Sequence, residues 1–283
     1  MEQIDLLNEA EIGLYQRIAS GATGCFARER ALIAVWGKEA VQFLNGMITN
    51  DVAALEDGGE MLAAFPNAKG RLLAVVRVLR RGERYLFDVE AANHAAVYQN
   101  LFRFTFAGDF FVADLSADYD FFDIFGTIPQ IEGEMLKFAA GPVAGVFVPK
   151  GSSAKGEEVS PELFELLRIE AGLPLFGVDM DEATIVPELG LDGLISYNKG
   201  CYIGQEIIAR IYFRGHVAKQ LSRLVFDVAA AAGAGQELFS EEGKPAGKIT
   251  SAIYSPIAGK TAALGYVRYE FLNNENKLIN KDI

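Results

Sequence analysis

Cysteine and histidine are scarce in this sequence, whose 283 residues contain two of each. Cys25 and Cys201 are too few for a disulfide framework, and they fit a reducing compartment. With only His94 and His216 beside them, the chain offers no local cluster with metal-ligand spacing. We therefore expect neither a zinc site nor a complete iron–sulfur site within one chain.

Long apolar runs are also missing. No stretch approaches the roughly 20 residues that a membrane-spanning helix needs. The acidic start, residues 1–13, has neither the charged-then-apolar pattern of an export signal nor the Arg- and Ser-rich composition of a transit peptide. These absences predict a cytoplasmic protein without a membrane partner.

Positive charge is in deficit. Lys and Arg number 26 against 38 Asp and Glu, which gives a formal net charge of −12 at pH 7. The phosphate backbone of nucleic acid rewards the opposite balance, so we expect no nucleic-acid partner. Residues 69–84 are a local exception, and a solvated strand and turn is favoured there over an anion site.

Apolar spacing predicts a mixture of strands and helices in a chain long enough for two or three compact units. From about residue 217 onward, short strands with Gly turns favour a small antiparallel barrel. The predicted division is 1–215 and 216–283, with an internal seam near 141–160. The expected strands are 31–36, 61–65, 71–79 and 84–89, and the expected helices follow residue 36 and cover 91–102, 161–171 and 205–214.

Two of these helices carry clear boundary signals. Ser160 is a predicted N-cap and Gly172 a predicted C-terminal stop for the first of them. Gly204 can open the second helix and Gly215 can close it, with Ile208 and Tyr212 among the residues predicted on one face.

Cys201 lies just before that second helix, in the stretch NKGCYIGQE (198–206). A helix N-terminus and a nearby lysine, Lys199, can make a thiol more reactive. The thiol could serve as a nucleophile, a transient ligand, a redox switch or simple packing. From composition alone, packing is favoured, because free cysteine is usually a buried small residue.

The chain resembles the YgfZ family of folate-binding proteins, which is related to the T-protein (aminomethyltransferase) of the glycine cleavage system. The resemblance rests on LRIEAGLPLFGVDMDEATIVPE, which ends at Glu188, and on GLISYNKGCYIGQEIIARIYFRGHVAKQL. The family signature K-G-C-Y-x-G-Q-E is complete at 199–206. FLNGMITNDV (43–52) and GKITSAIYSPIAGKTAALGYV (247–267) are also similar, and the likeness is weakest from about 100 to 155.

The resemblance implies an α+β fold, in which two interleaved α+β subdomains and a small C-terminal antiparallel β-barrel surround a central folate-binding channel. It also implies tetrahydrofolate as the cofactor, and iron–sulfur client proteins or assembly factors as partners. Cys201 is then the functional thiol. The implied folate contacts are Glu188 and Met47 for the pterin, and Lys199, Arg210 or Arg214 for the tail carboxylates.

One departure from the T-protein pattern separates two functions. T-proteins carry N-x-x-G-G-x-x-D-D, whose first Asp is catalytic, whereas this chain has Ala74 and Val75 at the acidic positions. Neither side chain can exchange a proton. We therefore expect an accessory protein for the assembly or repair of iron–sulfur clusters and disfavour aminomethyl transfer. A folate sensor without redox or transfer chemistry stays open as a third alternative.

Overall fold

Five α-helices lie within the residues that the structure, a computed structural model, describes: 7–130, 133–227, 233–272 and 278–280. None of the helices in these ranges is both long and apolar enough to cross a membrane. A short 3₁₀ turn at Val186–Leu189 adds to them near the candidate site. The helices are α1 (Glu9–Ala19), α2 (Ala40–Met47), α3 (His94–Phe102), α4 (Pro161–Ala171) and α5 (Gln205–Arg214).

The strands of the same ranges form three five-stranded sheets. In chain order they are β1 (Thr23–Arg28), β2 (Arg30–Trp36), β3 (Glu60–Pro66), β4 (Leu72–Arg81), β5 (Arg84–Glu90), β6 (Phe111–Asp114), β7 (Tyr119–Gly126), β8 (Leu136–Phe138), β9 (Ala144–Pro149), β10 (Glu157–Glu158), β11 (Lys219–Phe226), β12 (Glu237–Ser240), β13 (Pro245–Ser255), β14 (Lys260–Arg268) and β15 (Leu278–Asn280).

Sheet A has the order β10-β1-β7-β9-β8, sheet B the order β3-β4-β5-β2-β6, and sheet C the order β11-β14-β13-β12-β15. Neighbouring strands are antiparallel except for the parallel pair β1 and β10. The mixed α+β class and the small C-terminal antiparallel sheet are as the sequence predicts.

Sheet B is covered on both faces, which explains the continuous apolar run of β2. Successive side chains of a strand point to opposite faces. Ala31, Ile33 and Val35 pack in a cluster with residues of α2 and α3. Leu32 and Ala34 pack in a different cluster with phenylalanines of sheet A. Burial on both faces requires apolar residues at every position, so no alternation is seen.

The predicted boundaries of α4 are confirmed. The Ser160 hydroxyl accepts a hydrogen bond from the Leu163 amide at 3.2 Å, and Gly172 adopts the left-handed conformation with φ of 76°. One side of this helix packs against sheet C, and Phe164 stacks on Phe26 of sheet A with ring centroids 4.0 Å apart. Helix α4 therefore lies between sheets A and C.

Helix α5 also has the predicted bounds, and residues of its predicted face differ in burial. Ile208 is fully buried, whereas Tyr212 is 53% exposed. Its ring stacks on Tyr197 with centroids 3.7 Å apart. A tyrosine can cover a neighbouring ring with one face and leave the other in water, which spacing alone does not reveal.

A buried ion-pair network lies between sheets A and B. Asp88 is fully buried and contacts the guanidinium groups of Arg30 and Arg77, which are themselves buried. Burial alone would raise the pKa of Asp88, but the two arginines outweigh it and lower that pKa. Interpreting residues 69–84 as a solvated strand is therefore wrong for Arg77, whose cross-strand partner is Asp88.

We expect Asp88→Asn to lower the free energy of unfolding by about 3–5 kcal/mol, because it removes the carboxylate that both buried guanidinium groups contact. Urea denaturation measures the change. The control is Glu242→Ala, which removes an exposed partner of Lys244, and its denaturation midpoint should match that of the unmodified protein. Equal, small shifts in both variants would contradict a structural role for the network.

Candidate functional site

The segment that contains Cys201 packs against the end of helix α2. We call residues 196–204 the cysteine loop and residues 46–50 the α2 exit. The Ser196 amide donates to the Thr49 carbonyl at 3.0 Å, and the Ile203 amide donates to the Gly46 carbonyl at 3.1 Å. These two bonds fix both ends of the loop to the same short stretch of chain.

Lys199 lies in the middle of the cysteine loop and is buried. Its ammonium donates to the Ile48 carbonyl at 2.8 Å and to the Asn50 carbonyl at 2.6 Å. It also lies 5.2 Å from the centroid of the Tyr202 ring. Burial lowers the pKa of Lys199 to about 8, although the charge of Asp51 acts in the opposite direction. The group implied for the folate tail therefore donates to backbone carbonyls.

The two cysteines have opposite environments. Cys201 is exposed, so the packing role that composition favours is wrong for it. Cys25 is buried in β1, where burial raises the pKa of its thiol to about 11. A reagent or partner in solution can reach the first sulfur directly, while the second belongs to the core.

Gly204 ends the cysteine loop in a conformation that requires glycine. Its φ is +79°, and a Cβ placed there would lie 2.3 Å from the Asn67 carbonyl oxygen and 3.2 Å from Gly70. Residues 67–71 form a turn, which we call the 67–71 turn. The last glycine of the family signature thus lets the cysteine loop touch this turn backbone to backbone.

We expect Gly204→Ala to lower the free energy of unfolding by about 1–3 kcal/mol or more, because it adds both left-handed strain and a clash with the 67–71 turn. Denaturant titration measures this loss. Gly200→Ala is the matched control in the same loop, since a Cβ there would meet no atom within 4 Å and its φ is not left-handed. That change should cost less than about 0.5 kcal/mol; an equal cost in both variants would contradict the contact.

Glu188 lies on the other side of the 67–71 turn. The Val186 amide donates to the Gly70 carbonyl at 3.1 Å, and Arg71 and Ile185 form an isolated antiparallel bridge. The chain then enters the 3₁₀ turn that contains Glu188. The 67–71 turn therefore contacts both the cysteine loop and the segment that positions Glu188.

The Glu188 side chain is only 7% exposed. Among the described residues, its carboxylate accepts one hydrogen bond, from the Ile185 amide at 3.3 Å. Burial raises the pKa of Glu188, and the amide and the charges of Lys219 and Arg71 offset only part of that increase. A carboxylate has about four lone-pair positions, so most of its acceptor capacity is available to a ligand.

Met47 lines a cavity at the end of α2. It is buried at the end of α2, and the cavity beside it has a volume of about 440 Å³, within the usual range for small-molecule sites. Phe43 in the cavity wall stacks on Phe110 with centroids 4.0 Å apart. Glu188 does not line this cavity. Met47 and Glu188, both implied for the pterin by the family resemblance, thus do not share the wall of this cavity.

The remaining predicted site residues lie on α5. Arg210 is exposed there, and the side chain of Arg214 is outside the described part of the structure. Sequence reasoning missed Lys219 and Tyr266, two residues of sheet C that interact electrostatically with Glu188. The Lys219 ammonium lies 4.3 Å from the Tyr266 ring centroid, and Tyr266, whose pKa burial raises to about 12, is also affected by the charge of Glu188. The sequence feature that could have identified Lys219 is that it is a basic residue at the start of β11.

Comparison with known proteins identifies a fold class for the chain. Residues 219–279 match the glycine cleavage T-protein C-terminal barrel domain. The solved structure of the glycine cleavage system aminomethyltransferase T from Bartonella henselae superposes with a TM-score of 0.77, covering 91% of this chain and 82% of that one at 22% identity. At that identity the likeness shows a shared fold, that of the glycine cleavage T-protein.

Proteins similar in sequence are more specific than the shared fold. A protein named "tRNA-modifying protein YgfZ" from Serratia proteamaculans is 30% identical over 220 residues, 65% of each chain. Another of that name from Escherichia coli O157:H7 is 28% identical over 241 residues, 74% of this chain and 73% of the relative. The mitochondrial iron-sulfur cluster assembly factor IBA57 homolog of Mycosarcoma maydis is 26% identical over 226 residues, 71% of this chain and 56% of the relative.

These comparisons confirm the resemblance described from the sequence: the chain is similar to proteins named YgfZ and shares the fold of the glycine cleavage T-protein. The matched regions of the Serratia and Mycosarcoma relatives span less than two thirds of their own lengths, 65% and 56%.

Proposed function

We propose that the protein binds tetrahydrofolate and supports the assembly or repair of iron–sulfur clusters in client proteins. The single observation that carries the proposal is the buried, under-bonded carboxylate of Glu188, joined through the 67–71 turn to a loop with an exposed thiol, Cys201. The relative named as an iron–sulfur cluster assembly factor supports the second half of the proposal.

The chemistry of Glu188 fits a reduced pterin. The pterin ring presents an amino group and a neighbouring ring N–H, which a carboxylate can accept as two parallel hydrogen bonds. Because the raised pKa of Glu188 reflects burial, those bonds would compensate a charge that the protein alone leaves poorly satisfied. Met47 is proposed to cover the pterin, and Arg210 and Arg214 to approach the tail carboxylates. The bound folate would supply one-carbon or redox chemistry, and these residues would orient it.

Cys201 is proposed to act as the reactive group toward a client. Iron–sulfur clusters are held by cysteine thiolates. An exposed cysteine can coordinate a cluster iron through its thiolate while the client supplies the other ligands. No group of three or more potential ligands for a metal ion occurs in the part of the chain that the structure describes. The cluster is therefore treated as cargo that the thiol contacts, with the client supplying most of its ligands.

The arrangement of the units follows from the same proposal. Residues 1–215 would form two interleaved subdomains and residues 216–283 the barrel unit, with folate in a channel between them. Strand β11 of sheet C lies against the 3₁₀ turn that contains Glu188, and the charge of its Lys219 acts on the pKa of that acid, which supports this arrangement. A cytoplasmic location fits the reducing environment that a free thiol requires.

Aminomethyl transfer has less support. Ala74 is fully buried in the core of sheet B, and Val75 next to it is apolar, so neither position offers a group for proton transfer. The names of the bacterial relatives refer to tRNA modification. With a net charge of −12, direct binding of tRNA by this chain is disfavoured, and an effect on tRNA is better explained through a client enzyme.

We expect Glu188→Gln to weaken tetrahydrofolate binding by about 10- to 100-fold, the effect of losing hydrogen bonds to a charged acceptor. The affinity of the unmodified protein should fall as the pH drops through the raised pKa of Glu188, because protonation removes the acceptor, and the Glu188→Gln variant should lack this dependence. Anaerobic calorimetric titration between pH 5 and 8 measures both.

Glu182→Gln is the matched control, since it removes the same charge from an exposed position on the same segment. Its affinity and pH dependence should equal those of the unmodified protein. The Glu188→Gln substitution should also leave the unliganded protein at least as stable at neutral pH, because the raised pKa means that ionised Glu188 opposes folding there. Unchanged affinity in Glu188→Gln would rule out the acid as the pterin contact.

We expect Cys201→Ser to abolish rescue of a strain lacking this protein while leaving folding and tetrahydrofolate affinity unchanged, because the thiol is exposed and makes no core contact. Activity of iron–sulfur enzymes in the complemented cells is the readout. Cys25→Ala, which removes the buried thiol, is the control and should rescue. Full rescue by Cys201→Ser would remove the thiol from the function.

A further inference from the structure

Lys199 makes contacts that differ from those the family signature suggests. An ammonium has three N–H donors, and two of them are used by the Ile48 and Asn50 carbonyls at 2.8 and 2.6 Å. The side chain is buried, with the Tyr202 ring against it. At most one donor is left for any ligand.

Pairing Lys199 with a folate carboxylate would disrupt this arrangement. If the ammonium moved to a ligand, the carbonyls of Ile48 and Asn50 would lose their charged donor in a region where Ile48 is fully buried. Leaving a buried acceptor unpaired is unfavourable, and a flexible, exposed cation such as Arg210 can reach a carboxylate without that cost. The contacts therefore favour a structural use of the ammonium.

The position of these bonds in the cysteine loop indicates what they do. Among the described residues, the backbone of the loop donates to the α2 exit only near its two ends, at Ser196 and Ile203. Between those residues, the Lys199 side chain makes the contacts with the α2 exit that lie closest to Cys201. Without them, the loop would be hydrogen-bonded to the α2 exit at its ends alone, and its other contacts would include the stacked ring of Tyr197 and the buried ring of Tyr202.

We propose that Lys199 is a positioning residue, which fixes the cysteine loop to the α2 exit so that Cys201 is presented to its partner in one conformation. The proposal rests on the proposed function for the role of the thiol, but the anchoring itself is independent of folate. Lys199 and Cys201 of the signature then act together: the buried amine of Lys199 orders the loop, and the exposed sulfur of Cys201 reacts.

Lys199→Met and Lys199→Arg test the proposal. Met has a similar length and no donor, whereas Arg keeps the charge and several donors. Hydrogen exchange of peptides that cover 196–204 and 46–50 should accelerate roughly tenfold or more in the Met variant and remain closer to the unmodified rate in the Arg variant. The rate at which iodoacetamide alkylates Cys201 should change in the Met variant and return towards normal in the Arg variant.

Rescue and folate binding complete the test. Lys199→Met should lose rescue of the deletion strain, Lys199→Arg should restore it at least in part, and tetrahydrofolate affinity should change less than about threefold in both. If the Met variant unfolds globally, with faster exchange across sheets A and B as well, exchange and rescue in the Arg variant decide the matter.

Two results would overturn the anchoring. One is unchanged exchange in the cysteine loop of Lys199→Met together with a tenfold loss of folate affinity, which would return the amine to the ligand. The other is full rescue by Lys199→Met. Cys201→Ser, assayed in parallel, separates this outcome from failure of the proposed function, because rescue by that variant removes the role of the thiol while the exchange data still decide whether Lys199 orders the loop.

Discussion

The backbone of Gly204 lies so close to the Asn67 carbonyl that no side chain could stand between them. That contact brings the cysteine loop onto the 67–71 turn, and the far side of the same turn pairs with the chain that leads to Glu188. An exposed sulfur and a buried acid, 13 residues apart in sequence, are thus attached to one rigid piece of backbone. The family signature therefore includes a residue that makes this backbone contact, Gly204, as well as the residue that carries the thiol, Cys201.

Burial of charge is the second constraint on the molecule. Asp88 pairs with two arginines of sheet B, one of which, Arg77, also donates to the Phe138 carbonyl of sheet A. Arg168 of α4 is fully buried, with Asp179 2.9 Å and the Ser251 hydroxyl 2.8 Å from its guanidinium nitrogens. Buried pairs of this kind cost desolvation energy, so we infer that they specify how the sheets and helices pack rather than add much stability. Glu188 differs because its compensation inside the protein is incomplete.

Local signals predicted the elements well and the long-range contacts poorly. Ser160 and Gly172 predict the ends of α4, because helix capping depends on residues within one turn. Arg77 looked solvated because its partner, Asp88, is on another strand, and Lys199 looked available to a ligand because its acceptors are some 150 residues earlier in the chain. Glu188 was found only through the family resemblance, and Lys219 was missed because the fold alone brings β11 to it.

The crystal structure of the protein with tetrahydrofolate is the most direct test of the account. It should place the pterin amino group and the neighbouring ring N–H on the two carboxylate oxygens of Glu188, at roughly 2.7–2.9 Å, with the cysteine loop in place and Cys201 open to solvent. A pterin bound in the cavity beside Met47 without touching Glu188, or no binding at saturating ligand, would contradict it.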